Sequence, residues 1–177
     1  TLTTVINITG VQSAVTTALI GASSVAVGAA VTVGISDAAG VTLTALNLSN
    51  IGGLTSGTVT VASAVIITGS TAQLNTALIG AASVVAATAR LTSNDTNMTA
   101  AQLAVLDDLT TNIITATLAT GAAASFSAMT DDRSNNVITV NINGTGDVAA
   151  TVLSAIGGKT SGTVTLTTVI NITGVQS

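Results

Sequence analysis

The 177-residue chain contains no histidine, cysteine, proline, tryptophan, tyrosine or glutamate, and Phe126 is its one aromatic side chain. Each absence removes a class of function. Without His and Cys, zinc, copper and haem sites lose their usual ligands. Nucleophilic triads of the Ser-His-Asp or Cys-His type cannot be assembled. A disulfide framework is impossible, so the redox compartment is not legible from cysteine usage. The cations are Arg90, Arg133 and Lys159 alone. Three scattered cations cannot follow a phosphate backbone, and there are no aromatic platforms for stacking bases, so nucleic acid is not an expected partner. Charged residues make up 6% of the chain, against about 25% in a typical soluble domain. The net charge of −4 gives little steering. Nitrogen-rich side chains are nearly missing, and sulfur occurs only in Met98 and Met129. Such economy suits a protein exported in large amounts.

What is present is Thr, Ala, Val, Gly, Ser, Ile and Leu, arranged in repeats. Residues 1–13 read TLTTVINITGVQS, and residues 165–177 read the same. Identity over this length is not chance, and the offset defines a period of 164 residues. The chain is therefore expected to be a window on a longer polypeptide of near-identical copies. Residues 1–164 form one long repeat, and 165–177 begin the next. Shorter periods lie inside the long one. Residues 60–83, within the phrase 58–83, align without gaps with residues 1–24 at an offset of 59, so that Ile67-Thr68-Gly69 falls on Ile8-Thr9-Gly10. IGGLTSGTVTV (51–61) matches IGGKTSGTVTL (156–166). Weaker copies begin near Ile35, Met98, Ala119 and Ile142. About six subunits of roughly 21–32 residues fill the long period, a length typical of solenoid coils.

Each subunit alternates a Thr/Val/Ile run with a short amphipathic phrase. Val59-Thr60-Val61 and Val65-Ile66-Ile67 read as strands with one buried face. In residues 70–80, Ser70 or Thr71 caps a two-turn helix, Leu74, Ala77 and Leu78 face inward, and Gly80 ends it. Val15, Ala18 and Leu19 repeat that face. Thr99 with Gln102 predicts a capping box ahead of Leu103 and Leu106. Asp147 is expected to cap a helix that turns Val148, Val152 and Leu153 inward and stops at Gly157. Helices this short depend on packing for their stability. The fold class read from this pattern is a β-rich α/β repeat solenoid.

Candidate sites are few. Asp131, Asp132, Asn135 and Asn136 form the most polar spot, an oxygen-rich segment able to hold Ca²⁺. Ser93-Asn94-Asp95-Thr96-Asn97 is a second. Neither matches a known calcium-loop pattern, and Asp and Asn also favour plain turns. The expected set of cofactors is therefore none, with calcium as the one alternative. The pairs Asp107-Asp108 and Asp131-Asp132 read as solvated turns or helix ends, since adjacent carboxylates do not by themselves converge on a substrate. No catalytic residue is assigned. Glycosylation sequons occur at Asn7, Asn47, Asn94, Asn97, Asn143 and Asn171, and glycans would help solubilise a surface so poor in charge. The uncharged stretch Ala18–Ile35 is long enough for a membrane span. Its three glycines, its β-branched residues and its lack of basic or aromatic flanks argue against one, and no span is expected.

The phrase Ile-x-Gly-x-x-x-x-Leu-x-x-x-Leu between Thr/Val-rich strands, best seen from Ile67 to Leu78, resembles giant repetitive cell-surface proteins of bacteria. These include S-layer-like, adhesin and filament proteins, cyanobacterial ones among them. The resemblance covers most of the chain. It implies secretion, an extracellular or cell-surface location, and a solenoid that coats, adheres or builds a fibre. Many such proteins carry calcium-binding glycine-rich repeats, which this chain lacks. The expected function is a structural component of an extracellular filament or surface layer. Its principal partner is itself, through a homopolymeric fibre or lateral bundling, with glycans or the cell surface as further contacts. The alternative is the stalk of a large adhesin. An enzyme would need a groove lined by clustered carboxylates with basic or aromatic residues, for which this composition has almost no material.

Overall fold

The computed structural model describes residues 7–21, 30–80, 84–129, 135–168 and 170–174. Alternation of β-branched side chains with small polar ones favours a pleated strand with one face inside. In β4 (Val59–Val61) Val59 and Val61 are buried while Thr60 is exposed, and in β8 (Ile114–Thr117) Ile114 and Ala116 are buried while Thr115 is exposed. The chain divides into two compact units, Thr1–Thr92 with Leu109–Asn112, and Ser93–Asp108 with Ile113–Ser177.

The first unit runs β1 (Asn7–Gly10), α1 (Gln12–Thr16), β2 (Thr32–Ile35), β3 (Thr42–Thr44), α2 (Ala45–Gly52), β4, β5 (Ile66–Gly69), α3 (Thr71–Asn75), β6 (Val84–Val85) and β7 (Arg90–Ser93). One sheet has the order β1-β2-β4-β6, and β3, β5 and β7 lie side by side in another. The pairing is parallel. Asn7 meets Thr32, Val33 meets Val59, Val59 meets Val84 and Thr42 meets Ile66. Partners thus stand 24 to 26 residues apart. Parallel neighbours need a long crossover connection. Here each crossover carries a short helix or a strand of the other sheet.

The second unit contains α4 (Ala100–Asp107), β8, a 3₁₀ turn (Ala123–Phe126), β9 (Val137–Ile142), β10 (Asp147–Ala149), α5 (Ala150–Gly157), β11 (Val164–Leu166) and β12 (Asn171–Thr173). β8, β9 and β11 are neighbours in that order, and β10 pairs with β12. These pairs are parallel too: Thr115 with Val137, Val140 with Val164, Asp147 with Asn171. Single bridges join Met98 to Leu118 and Gly121 to Ile142. The fold is mixed α/β with parallel sheets, as the alternation of strand and helix phrases implies.

Three of the short helices, α2, α3 and α4, begin where the hydroxyl of Thr44, Ser70 or Thr99 replaces a missing backbone acceptor. Ser70 accepts from the Gln73 amide while Gln73 Oε1 accepts from the Ser70 amide, a complete capping box. Thr99 and Gln102 form the second expected box. Leu74, Ala77, Leu78, Leu103 and Leu106 are buried as the spacing predicts. Burying each of the four leucines contributes roughly 1.5–3 kcal/mol.

Three expectations need correction. The phrases Thr17–Gly21 and Thr76–Gly80 are π-helical continuations, not second α-turns. Thr17 Oγ1 and Thr76 Oγ1 donate to the carbonyls of Ser13 and Ala72 four residues back, which also accept from the Thr17 and Thr76 backbone amides. Ala18 is exposed, whereas Ala77, its equivalent, is fully buried. Asp147 does not cap α5. It lies in β10, the cap position is Ala149 without a side-chain bond, Val152 is exposed and Leu153 is half-buried. Gly157 does end that helix.

Candidate functional site

The recurring polar feature of this molecule is a threonine, buried at Thr55 and Thr110 and half-buried at Thr160, that ties one stretch of backbone to the stretch before it. Thr55 Oγ1 donates to the Val31 carbonyl and accepts from the Gly57 amide. Thr110 Oγ1 donates to the Ala89 carbonyl and accepts from the Asn112 amide. In the second unit, Thr160 Oγ1 lies 2.9 Å from the Ile138 carbonyl and accepts from the Gly162 amide at 2.8 Å. A threonine hydroxyl can donate once and accept twice, so one side chain closes a tight turn and crosses to a neighbour 21 to 24 residues earlier. The first and third occur in the phrases LTSG and KTSG.

Two of these turns require glycine for space. A Cβ on Gly57 would overlap the Val31 carbonyl, and one on Gly162 would overlap the Ile138 carbonyl. At the Thr110 turn the position is Asn112, whose side-chain amide donates to the Thr88 carbonyl at 3.0 Å. Sequence reasoning missed this Thr-x-Gly/Asn staple. The duplicated TSGTVT phrase was the signal, since strand propensity alone does not explain why Ser and Gly recur with it.

Side-chain amides make similar ties. Gln12 is buried and its amide bonds both polar groups of the Thr44 backbone, donating to O at 3.1 Å and accepting from N at 3.3 Å. The Gln12 backbone amide, in the first turn of α1, donates to Asp37 Oδ2 at 2.6 Å. Asp37 thus supplies negative charge to a helix start from 25 residues away.

Of the expected calcium residues, Asp131 and Asp132 lie outside the described residues. Asn135 is exposed. Asn136 is buried and its Oδ1 accepts from the Ile114 amide at 2.6 Å while its Nδ2 donates to Asp107 Oδ1 at 2.9 Å. Asp107 is likewise buried, at the end of α4, and Asp108 is the cap after it. In the second oxygen-rich segment Ser93 Oγ donates to Asp95 Oδ1. Among the described residues no three potential metal-ligating side chains of His, Cys, Asp or Glu cluster. All six sequon asparagines are described. Asn7, Asn94, Asn97, Asn143 and Asn171 are exposed and Asn47 is half-buried on α2. Asn7 accepts from Thr32 Oγ1, and Asn171 donates to Asp147 Oδ1.

A cleft of about 620 Å³ opens in the second unit beside the Ala123–Phe126 turn and α5, with Phe126, Ile142, Val148, Val152 and Ile156 among its walls. Its surface is mainly apolar. The two charged groups at its margin are engaged: Lys159 Nζ donates to the Met129 carbonyl at 2.7 Å, and Asp147 accepts from Asn171. Among the described residues no helix is long and apolar enough to cross a membrane; of the stretch 18–35, residues 22–29 lie outside the described set. Comparison with protein-family models, characterised proteins and solved structures gives no match.

Proposed function

We propose that this protein is a structural component of an extracellular filament or surface layer, in which the strand–helix segments wind as one solenoid and 164-residue repeats succeed one another along its axis. The observation that carries the reading is the spacing of the parallel pairs. Neighbours stand 20 to 26 residues apart in both units, from Met98 with Leu118 to Val33 with Val59. A chain that returns to pair with itself at a near-constant interval is wound in coils. Each coil leaves an apolar face that only the next coil covers.

The threonine staples suit a mechanical role. Backbone ladders, hydroxyl bridges and stacked Val, Ile and Leu layers all join consecutive coils, so load along the axis is shared by every coil. Scarce Lys and Arg leave few sites for trypsin-like proteases, an advantage outside the cell. The exposed sequons are compatible with a glycosylated surface. Immunogold electron microscopy of the source cells tests this reading. Label along continuous fibres or a continuous coat outside the cell is the expected result. Label confined to stalks beneath a separate tip would assign the chain to an adhesin. Label on soluble particles inside the cell would refute the reading.

A further inference from the structure

Of the chain's asparagines only Asn143 is followed by glycine, and most of the others precede Ile, Val or Thr. The difference bears on covalent stability. The side-chain amide of asparagine lies within reach of the backbone nitrogen of the next residue, and attack by that nitrogen closes a five-membered ring. A β-branched neighbour crowds the nitrogen, whereas glycine, with no Cβ, leaves it open. Asparagine is thermolabile for this reason among others.

The Asn143–Gly144 pair sits at the corner between β9 and β10. Asn143 is exposed, and a Cβ built on Gly144 would meet nothing within 4 Å. The backbone around the pair is nevertheless tied on both sides. The Asn143 amide donates to the Gly121 carbonyl at 2.9 Å, and the Thr167 amide donates to the Ile142 carbonyl at 2.8 Å. One further contact involves the reacting atom itself. The Gly144 amide donates to Thr168 Oγ1 at 3.1 Å, and the same hydroxyl donates to the Gly144 carbonyl at 2.9 Å. A hydroxyl has one proton to give and lone pairs to accept with, so both bonds form together. Gly144 is thus held at N and O by a side chain 24 residues away.

We infer that Asn143–Gly144 is a site of spontaneous covalent modification and that the Thr168 hydroxyl is its latch. In the reaction the Gly144 nitrogen gives its proton to solvent and forms a bond to Asn143 Cγ. The Cγ–Nδ2 bond breaks, and ammonia leaves with a proton taken from solvent. Water then adds to one carbonyl of the succinimide ring and opens it. The product is an aspartate or, when the other ring bond breaks, an isoaspartate whose main chain runs through the side chain. An amide and water become an acid and ammonia, so no oxidant, reductant or enzyme is needed. While Thr168 holds the Gly144 N–H, the nitrogen keeps its proton and points it at the neighbouring stretch. Attack on Cγ waits for a local opening of the corner.

Either product adds a negative charge to a chain of which only 6% is charged. Isoaspartate also lengthens the main chain at a corner tied to Gly121 on one side and Thr168 on the other. The change runs one way, so the modified fraction records the age of the material. In a tandem array the site falls once in each 164-residue period. That count rests on the repeat reading, whereas the chemistry does not.

The full-length chain is made in a host that does not glycosylate, because a sugar on Asn143 Nδ2 would block the leaving group. It is incubated in warm, mildly alkaline buffer and sampled over time. Trypsin cuts after Arg133 and Lys159, so one peptide, 134–159, carries Asn143 together with Asn135, Asn136 and Asn141 as internal controls. Mass spectrometry reads the conversion of amide to acid, and electron-transfer fragmentation identifies isoaspartate. Asn143 should convert ahead of the three controls. Thr168→Val should raise its rate about five- to tenfold, the factor that loss of one ordinary hydrogen bond implies. Thr168→Ser should match wild type, and Gly144→Ala should suppress conversion. Should Thr168→Val unfold the chain, hydrogen exchange at the Gly144 amide of the wild type decides. Protection there, with conversion slower than in urea, is the expected result. Conversion spread evenly over the four asparagines overturns the site. A folded valine variant no faster than wild type, or a freely exchanging Gly144 amide, overturns the latch. None of these readouts depends on fibre formation, so the structural reading and this one fail separately.

Discussion

Replacing Thr110 by valine removes one hydroxyl and keeps the side chain's shape. Thr110 is 2% exposed, and its Oγ1 donates to the Ala89 carbonyl and accepts from the Asn112 amide. Each bond contributes about 1 kcal/mol net, and leaving a buried donor or acceptor unpaired costs about 1–3 kcal/mol more. The valine variant should therefore lose about 2–4 kcal/mol in spite of a more apolar side chain. Serine keeps the hydroxyl and loses a methyl group, for about 1 kcal/mol. Urea denaturation monitored by circular dichroism measures both, with stability taken from the midpoint at unchanged slope. The order expected is wild type, then Thr110→Ser, then Thr110→Val. A valine variant as stable as wild type, or a serine variant weaker than the valine one, would refute the staple as a source of stability. Hydrophobic bookkeeping alone puts Thr110→Val first, wild type second and Thr110→Ser last, so the place of the valine variant separates the two effects.

Gly57→Ala and Gly162→Ala each drive a Cβ into a carbonyl of the preceding stretch. Thermal melts should show each destabilised by about 1–3 kcal/mol, the range for overpacking. Gly144→Ala, which meets nothing within 4 Å, should leave the melt unchanged. Asn136→Leu removes the acceptor of the Ile114 amide and a donor to the Asp107 carboxylate and should cost about 2–4 kcal/mol by urea titration, since the lost bonds are buried and one is to an acidic side chain. Ser70→Ala removes a capping box and should cost about 1 kcal/mol, with a wild-type-like midpoint contradicting it. Chelation with EGTA should not move the melting temperature, because Asn136 spends its side-chain amide on Ile114 and Asp107. A drop of several degrees would restore calcium at that segment.

Much of the local structure is legible because it depends on local chemistry. The capping boxes at Ser70–Gln73 and Thr99–Gln102 need only four residues each, and the inward set Leu74, Ala77 and Leu78 comes directly from helical spacing. Misreadings occur where a neighbour decides. Ala18 and Ala77 share one phrase, but only Ala77 is buried, because α2 precedes it in the stack. Asp147 resembles a cap by type, whereas the alignment of ATVLSAIG with ALNLSNIG puts the helix start at Ala150. The π-helical segments Thr17–Gly21 and Thr76–Gly80 are a change of backbone hydrogen-bond pattern, which side-chain periodicity does not encode. The staples at Thr55, Thr110 and Thr160 join residues more than twenty apart, so a reading of local patterns passes over them. Asn136 is likewise polar by type and read as a calcium-ligand candidate or a turn residue, but the structure uses its amide inside.

Electron cryo-microscopy of assembled material tests winding most directly. With strand neighbours about 4.8 Å apart and 22 to 26 residues between partners, a coiled chain predicts one 164-residue period every 30–36 Å or so along the fibre axis, with density continuous from coil to coil. Discrete globular particles, or a fibre whose strands do not stack at that spacing along its axis, would contradict it.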